Sequence, residues 1–291
     1  MKVTNKMNLP QAFVDAVSVE RHNAKGSYSA TTLLRSATET LLMERHYDEL
    51  EIDVSDNVWA VWGTAVHSLF EKQKDSAFKE EKFSVQVSNS KVTGRVDSYD
   101  LESEILVDYK TCSAWKIIYN DFDDWYKQGM IYSWLMKKSG LNVKECQFIA
   151  LIKDHSKTKA IIDGTYPQSP VFVYKFSVTE EALAEIEKFI ISKVQELEEN
   201  ENTPDAELKG CNKDERWGTD PKFALMRNGR KTAIKLFDTK AEAEANKEAL
   251  KADYIEERKG EDKKCDGGYC LVCKWCPYYQ KKLESQFKDN M

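Results

Sequence analysis

The 291-residue chain has no apolar run of membrane-spanning length, no internal repeat, no low-complexity tract and no glycine-rich phosphate loop. Each absence removes a class of protein. A membrane helix needs about 20 consecutive apolar residues, so a membrane protein of that kind is not expected. A solenoid or propeller needs a repeat, and an ATP-driven motor needs a phosphate loop. The opening Met1-Lys2-Val3-Thr4-Asn5-Lys6 leads into no apolar signal segment, which makes the cytoplasm the expected compartment. Net basic charge is missing as well: 43 Lys and Arg stand against 49 Asp and Glu, for a net charge of −6. The sum hides an asymmetry. Residues 180 to 207 hold ten acids and two bases, whereas residues 209 to 240 hold nine bases and four acids. The first block is a solvated outer face, and the second can meet phosphate. A hydrophobic content of 41% at this length suffices for one large globular domain with an appendage.

What is present is an ordered series within about seventy residues: Gly63-x-x-x-His67, Gly94-Arg95-Val96-Asp97, Asp108-Tyr109-Lys110, and Gln128-x-x-x-Tyr132. Asp108 and Lys110 follow the apolar run Ile105-Leu106-Val107, and two residues apart on a strand they project from one face. Asp97 ends the run from Lys91 to Tyr99, and the polar stretch from Asp100 to Glu104 can turn a hairpin that sets Asp97 beside Asp108. Two adjacent carboxylates repel unless a cation lies between them. Oxygen ligands of this type suit Mg2+ or Mn2+ rather than zinc, and such an ion supports phosphodiester hydrolysis. From Asn57 to Lys72 the residues Val58, Val61, Trp62, Ala65 and Leu69 recur at helical spacing, while Gly63, His67 and Glu71 form a separate line. The spacing predicts His67 toward the carboxylates, the tryptophans toward the core, and Gly63 at a close approach to the sheet. A second helix, Asp123 to Lys138, puts Gln128 and Tyr132 one turn apart.

This series resembles the nuclease core of the PD-(D/E)XK superfamily, and within it the RecB-like nucleases, over roughly residues 27 to 200. The resemblance implies an α/β, restriction-endonuclease-like core with a central mixed sheet flanked by helices, and a metal-dependent DNase, most often an exonuclease trimming DNA ends. It further implies Asp97, Asp108, Lys110, Gln128 and Tyr132 as catalytic residues. The implied holders of Mg2+ or Mn2+ are His67, Asp97, Asp108 and the Tyr109 backbone carbonyl. The implied partners are DNA and recombination or replication proteins, in the cytoplasm, that of the host if the chain is phage-encoded. Two other readings of the same fold stay open: a non-catalytic DNA-binding protein, and a structure-specific endonuclease or resolvase.

Cys265-x4-Cys270-x2-Cys273-x2-Cys276 places four of the seven cysteines in twelve residues. In a reducing compartment that density means a metal or cluster site rather than a disulfide framework. Paired Cys-x2-Cys elements read first as zinc. A subset of the RecB-like nucleases instead carries a C-terminal 4Fe-4S iron-sulfur cluster, and the resemblance implies one here. The ligands by that resemblance are Cys211, in Cys211-Asn-Lys-Asp-Glu-Arg-Trp217, with Cys265, Cys270 and Cys276; the local alternative takes Cys273 in place of Cys211. Cys112 and Cys146 read as buried free thiols.

Between these cysteines lies the basic block. Phe223-Ala-Leu-Met-Arg227, Asn228-Gly229 and Arg230-Lys-Thr-Ala-Ile-Lys-Leu-Phe237 read as two strands around a tight turn, followed by a helix capped at Asp238-Thr239. This β-β-α unit, 222–251, offers Arg227, Arg230, Lys231 and Lys235 to DNA, with Phe223, Leu225, Ile234 and Leu236 as its packing side. A helix is expected from Ser29, running into Glu44-Arg-His-Tyr-Asp-Glu-Leu50, whose Arg35, Arg45 and His46 fit a DNA path and a plain surface helix equally well. The expected divisions are an N-terminal extension at 1–26, a nuclease core at 27–207 and a cysteine-ligated C-terminal subdomain at 208–291.

Overall fold

In the computed structural model, residues 1–17, 25–71 and 78–289 are described. Lys72 and the side chain of Glu71 lie outside the described residues. The chain divides into two units, Met1–Thr203 and Pro204–Met291.

The first unit runs β1 (Lys2–Thr4), α1 (Gln11–Val17), β2 (Ser27–Ser29), α2 (Ala30–Leu33), α3 (Ala37–Arg45), β3 (Glu51–Asp53), α4 (Val58–Glu71), β4 (Phe78–Val87), β5 (Ser90–Asp100) and β6 (Ile105–Cys112). It continues with α5 (Ala114–Ile118), α6 (Asp123–Lys138), β7 (Glu145–Ile152), α7 (Lys157–Ile162), β8 (Val171–Ser177) and α8 (Glu180–Glu199). A six-stranded mixed sheet is its centre, in the order β2-β5-β6-β7-β8 with β4 also on β5. β6 and β7 are parallel, which requires a crossover, and α5 with α6 supplies it. The α6 helix packs on the sheet and on α8, and the layer between them holds Phe148, Leu106, Met130, Ile131, Leu135 and Ile190, all essentially inaccessible. β7 reads buried at every second residue, as expected for a strand covered on one face. Gly129 and Gly94 make the close approach possible: a methyl on Gly94 would stand 2.8 Å from the Tyr132 ring and 2.7 Å from Leu135.

Three expectations for this unit need correction. The helix expected from Ser29 is two helices, because Ser36 caps a new start by accepting the Glu39 N–H as Ser29 does for Thr32. Gly63 is not a tight contact: a methyl there would meet only Thr111 Oγ1, at 3.9 Å. The α4 tryptophans do not face the core. Trp59, Trp62 and Leu69 are each more than half exposed, while Val66 is buried and Phe70 stacks on Tyr109 at 4.1 Å. The helix turns its histidine line, not its most apolar line, toward the sheet.

The second unit has β9 (Lys222–Met226), β10 (Lys235–Phe237), α9 (Lys240–Asn246), β11 (Tyr254–Arg258), α10 (Lys263–Asp266) and α11 (Pro277–Asp289). The expected β-β-α is a β-β-α-β unit, because β11 adds to the free edge of β9 in a three-stranded antiparallel sheet. Asn228-Gly229 does turn the chain, with Gly229 at φ 76° and an Arg230 N–H to Arg227 carbonyl bond. The strands nevertheless stop at Met226 and Lys235, so the connection is a longer loop than a two-residue turn. Leu225, Phe237 and Ala243 form the small core, with Phe223, Ile234, Leu250, Ala252 and Ile255 around it. Leu236, expected among them, is about half exposed because the β10 pleat points it outward.

Candidate active site and cysteine cluster

The sheet leaves a gap at the site. β2 pairs with β5 at Lys91–Thr93 and β6 pairs with it at Ser98–Asp100, so residues 94–97 belong to neither ladder. Asp97 fills the lost pairing: its Oδ2 accepts the Tyr109 N–H at 2.8 Å. Its Oδ1 lies 3.1 Å from His67 Nδ1 on α4. That bond to Asp97 raises the His67 pKa above the ordinary histidine value, against the opposing effect of burial. Among the described residues, His67, Asp97 and a third side chain, Glu80 of β4, bring one ligand atom each within 4.8 Å of one another.

Asp108 is placed differently. It is 2% exposed, and burial drives its carboxyl above the usual carboxylate range, with Lys110 countering and Asp97 adding to the rise. Lys110 Nζ is 2.7 Å from Asp108 Oδ2, yet that oxygen has no aligned hydrogen bond. The contact is one of charge and distance, and it leaves lone pairs of a buried oxygen unused. Gln128 and Tyr132 are buried on α6 and bonded to each other, Nε2 donating to the hydroxyl at 2.8 Å. Tyr132 reaches the cleft and its phenol is raised by burial. The Tyr109 ring stacks on Phe70 while its N–H is held by Asp97.

A cleft of about 650 Å3 opens over this gap, lined by Ser29, Gly63, His67, Glu80, Arg95, Asp97 and Tyr132 among others. One imidazole, two clustered carboxylates and a third, buried carboxylate oxygen with no aligned donor are a donor set that fits a hard divalent cation. Glu80 and Arg95 are the residues missed by reading the sequence for function. Arg95 stands inside Gly94-Arg95-Val96-Asp97 but reads as one of many charges; Glu80 sits in the charged run Lys79-Glu80-Glu81-Lys82 and gave no signal.

The remaining expected residues fall elsewhere. In the first unit, Arg45 donates to the carbonyls of Asn200 and Glu201 and thus ends α8, and His46 pairs with Glu49 at 2.7 Å. Cys112 and Cys146 are buried free thiols, the latter pushed up to about 12 by burial. In the second unit, Arg227 donates to the carbonyls of Leu250 and Lys251 and closes the segment after α9. Arg230 Nε meets Thr232 Oγ1 at 3.1 Å, Lys231 is exposed, and Lys235 lies over Phe237 at 5.2 Å.

Cys265, Cys270, Cys273 and Cys276 take part in no disulfide. Cys273 is raised first by its hydrogen bond with Cys270, then by burial, and is also bonded with Cys265. Burial, then the neighbouring Cys270, pushes Cys265 up to about 11. Cys211 belongs to the segment tied down by Arg216, whose guanidinium donates to the Cys211 carbonyl and stacks on Tyr278 at 4.0 Å. Arg216 and Lys282 converge on Asp262, at 3.0 and 2.8 Å, with the Tyr278 hydroxyl donating to the same carboxylate at 2.9 Å.

No family model and no curated protein matches the chain. Among solved structures it is similar to SSO0001, at 18% identity and a TM-score of 0.44 over 64% of this chain and 82% of that one. It is also similar to an alkaline exonuclease from Laribacter hongkongensis, at 14% identity and a TM-score of 0.40 over 65% and 93%. A phage-related exonuclease from Haemophilus somnus 129PT follows at 12% identity and 0.38 over 59% and 92%. Among the described residues, no helix is long and apolar enough to cross a membrane.

Proposed function

We propose that the chain is a metal-dependent deoxyribonuclease of the RecB-like PD-(D/E)XK type, acting as an exonuclease on DNA ends. The observation that carries it is the convergence of His67 and Asp97 at 3.1 Å with the Asp108–Lys110 pair at 2.7 Å across a break in the strand ladder, under an open cleft. His67, Asp97 and Asp108 would hold Mg2+ or Mn2+, whose chemistry is to stabilise charge on the phosphate and to make bound water more acidic. The side chains do the rest. Asp97 fixes His67 through one oxygen and the β6 backbone through the other. Lys110 is anchored by Asp108, its side chain about one-fifth exposed, placed to orient a water or a phosphate oxygen. Tyr132, bonded to Gln128, forms part of the cleft wall.

The cysteines are read as ligands of a 4Fe-4S cluster, with structural Zn2+ as the alternative. The mutual thiol contacts of Cys265, Cys270 and Cys273 support the local set with Cys276 over the set with Cys211. The loop from Arg227 to Ile234 with the first residue of β10 is read as a DNA contact through Arg230, Lys231 and Lys235, with Arg227 chiefly shaping the loop.

Digestion of linear and covalently closed circular duplex with Mg2+ or Mn2+ tests the function. Loss of linear DNA alone supports an exonuclease; nicking of circles favours the endonuclease reading. No cleavage of either by protein that binds DNA returns the chain to the non-catalytic reading.

A further inference from the structure

Glu80 has no motif and an unusual backbone. β4 and β5 pair as Lys79↔Ser98 and then Glu81↔Val96, so Glu80 stands opposite Asp97 and is left out of the ladder. Its φ is 52°, a left-handed conformation that glycine takes readily and glutamate does not. Strain of this kind persists where the surroundings enforce it, and it concentrates at functional sites. The consequence here is geometric: the Glu80 carboxylate is brought within 4.8 Å of the His67 and Asp97 ligand atoms. Two carboxylates facing each other across adjacent strands call for a positive partner. Arg95 supplies part of one, its Nη1 being 3.5 Å from Glu80 Oε2 on a side chain that is 64% exposed. That is a long, wet ion pair, easily exchanged.

We propose that Glu80 is a ligand of the divalent cation in this chain, and that Arg95 is its exchangeable counter-ion. With no cation present Arg95 holds the Glu80 carboxylate; once Glu80 ligates the ion, Arg95 is released at the mouth of the cleft for a phosphate of the bound substrate. The inference rests on the metal-nuclease reading and names one further ligand and one phosphate contact within that site. Buried Asp108, with an oxygen free of any aligned donor beside the same cluster, is the third carboxylate, after Glu80 and Asp97, that the ion would draw on.

Mn2+ binding followed by electron paramagnetic resonance, without DNA, tests it. Glu80→Gln is expected to weaken Mn2+ binding at least about tenfold. Arg95→Gln is expected to tighten it several-fold by removing the competitor, a change that a merely structural arginine would not produce. Glu80→Gly guards against misfolding: it suits φ 52°, so its Tm should not fall, while its Mn2+ affinity should drop as far as that of Glu80→Gln. Unchanged Mn2+ affinity in folded Glu80→Gln and Glu80→Gly proteins overturns the proposal, and an unchanged Arg95→Gln overturns its exchange step. A wild-type protein that takes up Mn2+ through Glu80 yet cleaves no DNA would refute the nuclease reading alone. A cleaving wild type whose Glu80→Gln form binds Mn2+ normally would refute this inference alone.

Discussion

Asp97 and Asp108 stand on the central strands β5 and β6, beside the break between their ladders, over a core whose members are among the least accessible of the described residues. Cys265, Cys270, Cys273 and Cys276 stand on a one-turn helix, a 3-10 turn and short connections, and from 262 to 277 the buried residues are Asp262, Val272, Pro277 and two of the cysteines themselves. The contrast separates two ways of making a site. In the first unit the apolar sheet positions the polar groups, and any ion adds chemistry to a scaffold that stands without it. In the second, apart from the small core of Leu225, Phe237 and Ala243, a ligand held by the thiols would be part of what holds the cysteine segment together.

The largest effect should come from the strand site, and it should leave the fold alone. Asp108→Asn and Lys110→Ala are each expected to slow cleavage by about a thousandfold or more, with DNA binding nearly retained. Single-turnover cleavage beside a binding assay checks this. If the variants lose secondary structure instead, the contrast between the units fails.

Cysteine replacement should do the reverse. Cys270→Ser or Cys276→Ser is expected to abolish hydrogen-exchange protection across Pro204–Met291 while amides of β6 and β7 keep theirs. Chelation or oxidative bleaching of the native protein should act alike. Anaerobic protein should be brown if the iron-sulfur reading holds; colourless protein with stoichiometric zinc selects the alternative. Cys273→Ser sharpens the ligand choice, being as damaging as Cys270→Ser for the local set and tolerated for the set with Cys211.

A smaller loss is expected at Asp262. Burial alone would raise its pKa, but Lys282, Arg216 and Tyr278 outweigh that and hold it below the ordinary carboxylate range. A depressed carboxylate contributes stability above its unfolded pKa of about 3.9, and that stability disappears as pH falls through the lower folded value. The second unit should therefore weaken steadily below about pH 4. Asp262→Asn leaves two cations around a neutral amide, should cost about 3 kcal/mol at neutral pH, and should flatten the acid limb. Chemical denaturation against pH measures both.

The smallest effect concerns the basic loop. Arg230→Ala with Lys231→Ala is expected to lower the slope of log K against log salt by about 1.4 to 1.8 if both touch phosphate, without a change in Tm. An unchanged slope makes the loop a solvated surface. Arg227→Ala should instead destabilise, since it would free the Leu250 and Lys251 carbonyls from their donor.

What the sequence could show follows the same division. Regular elements were legible because period 2 and period 3.6 leave marks: α6 spans Asp123–Lys138 as its pattern indicates, and the spacing of Asp108 and Lys110 anticipates their contact. His67 was legible as one line on a helix. The apolar line of that helix misled, because Trp59 and Trp62 read as core by composition while the face toward the sheet is set by His67 and Phe70. β11 was missed because Tyr254-Ile-Glu-Glu-Arg258 is mostly polar, as an outer strand is allowed to be. Glu80 could not be found by pattern at all. Its role depends on a single left-handed backbone angle opposite Asp97, which spacing does not encode.

The most direct test of the strand site is single-turnover cleavage of end-labelled linear DNA with Mn2+, comparing wild type, Asp108→Asn, and wild type in EDTA. The expected result is labelled mononucleotide or short product from the wild type with metal only, and none from the folded Asp108→Asn protein at equal DNA occupancy. Cleavage that survives in Asp108→Asn, or in EDTA, would contradict the assignment of Asp97, Asp108, Lys110 and their cation as the reacting centre.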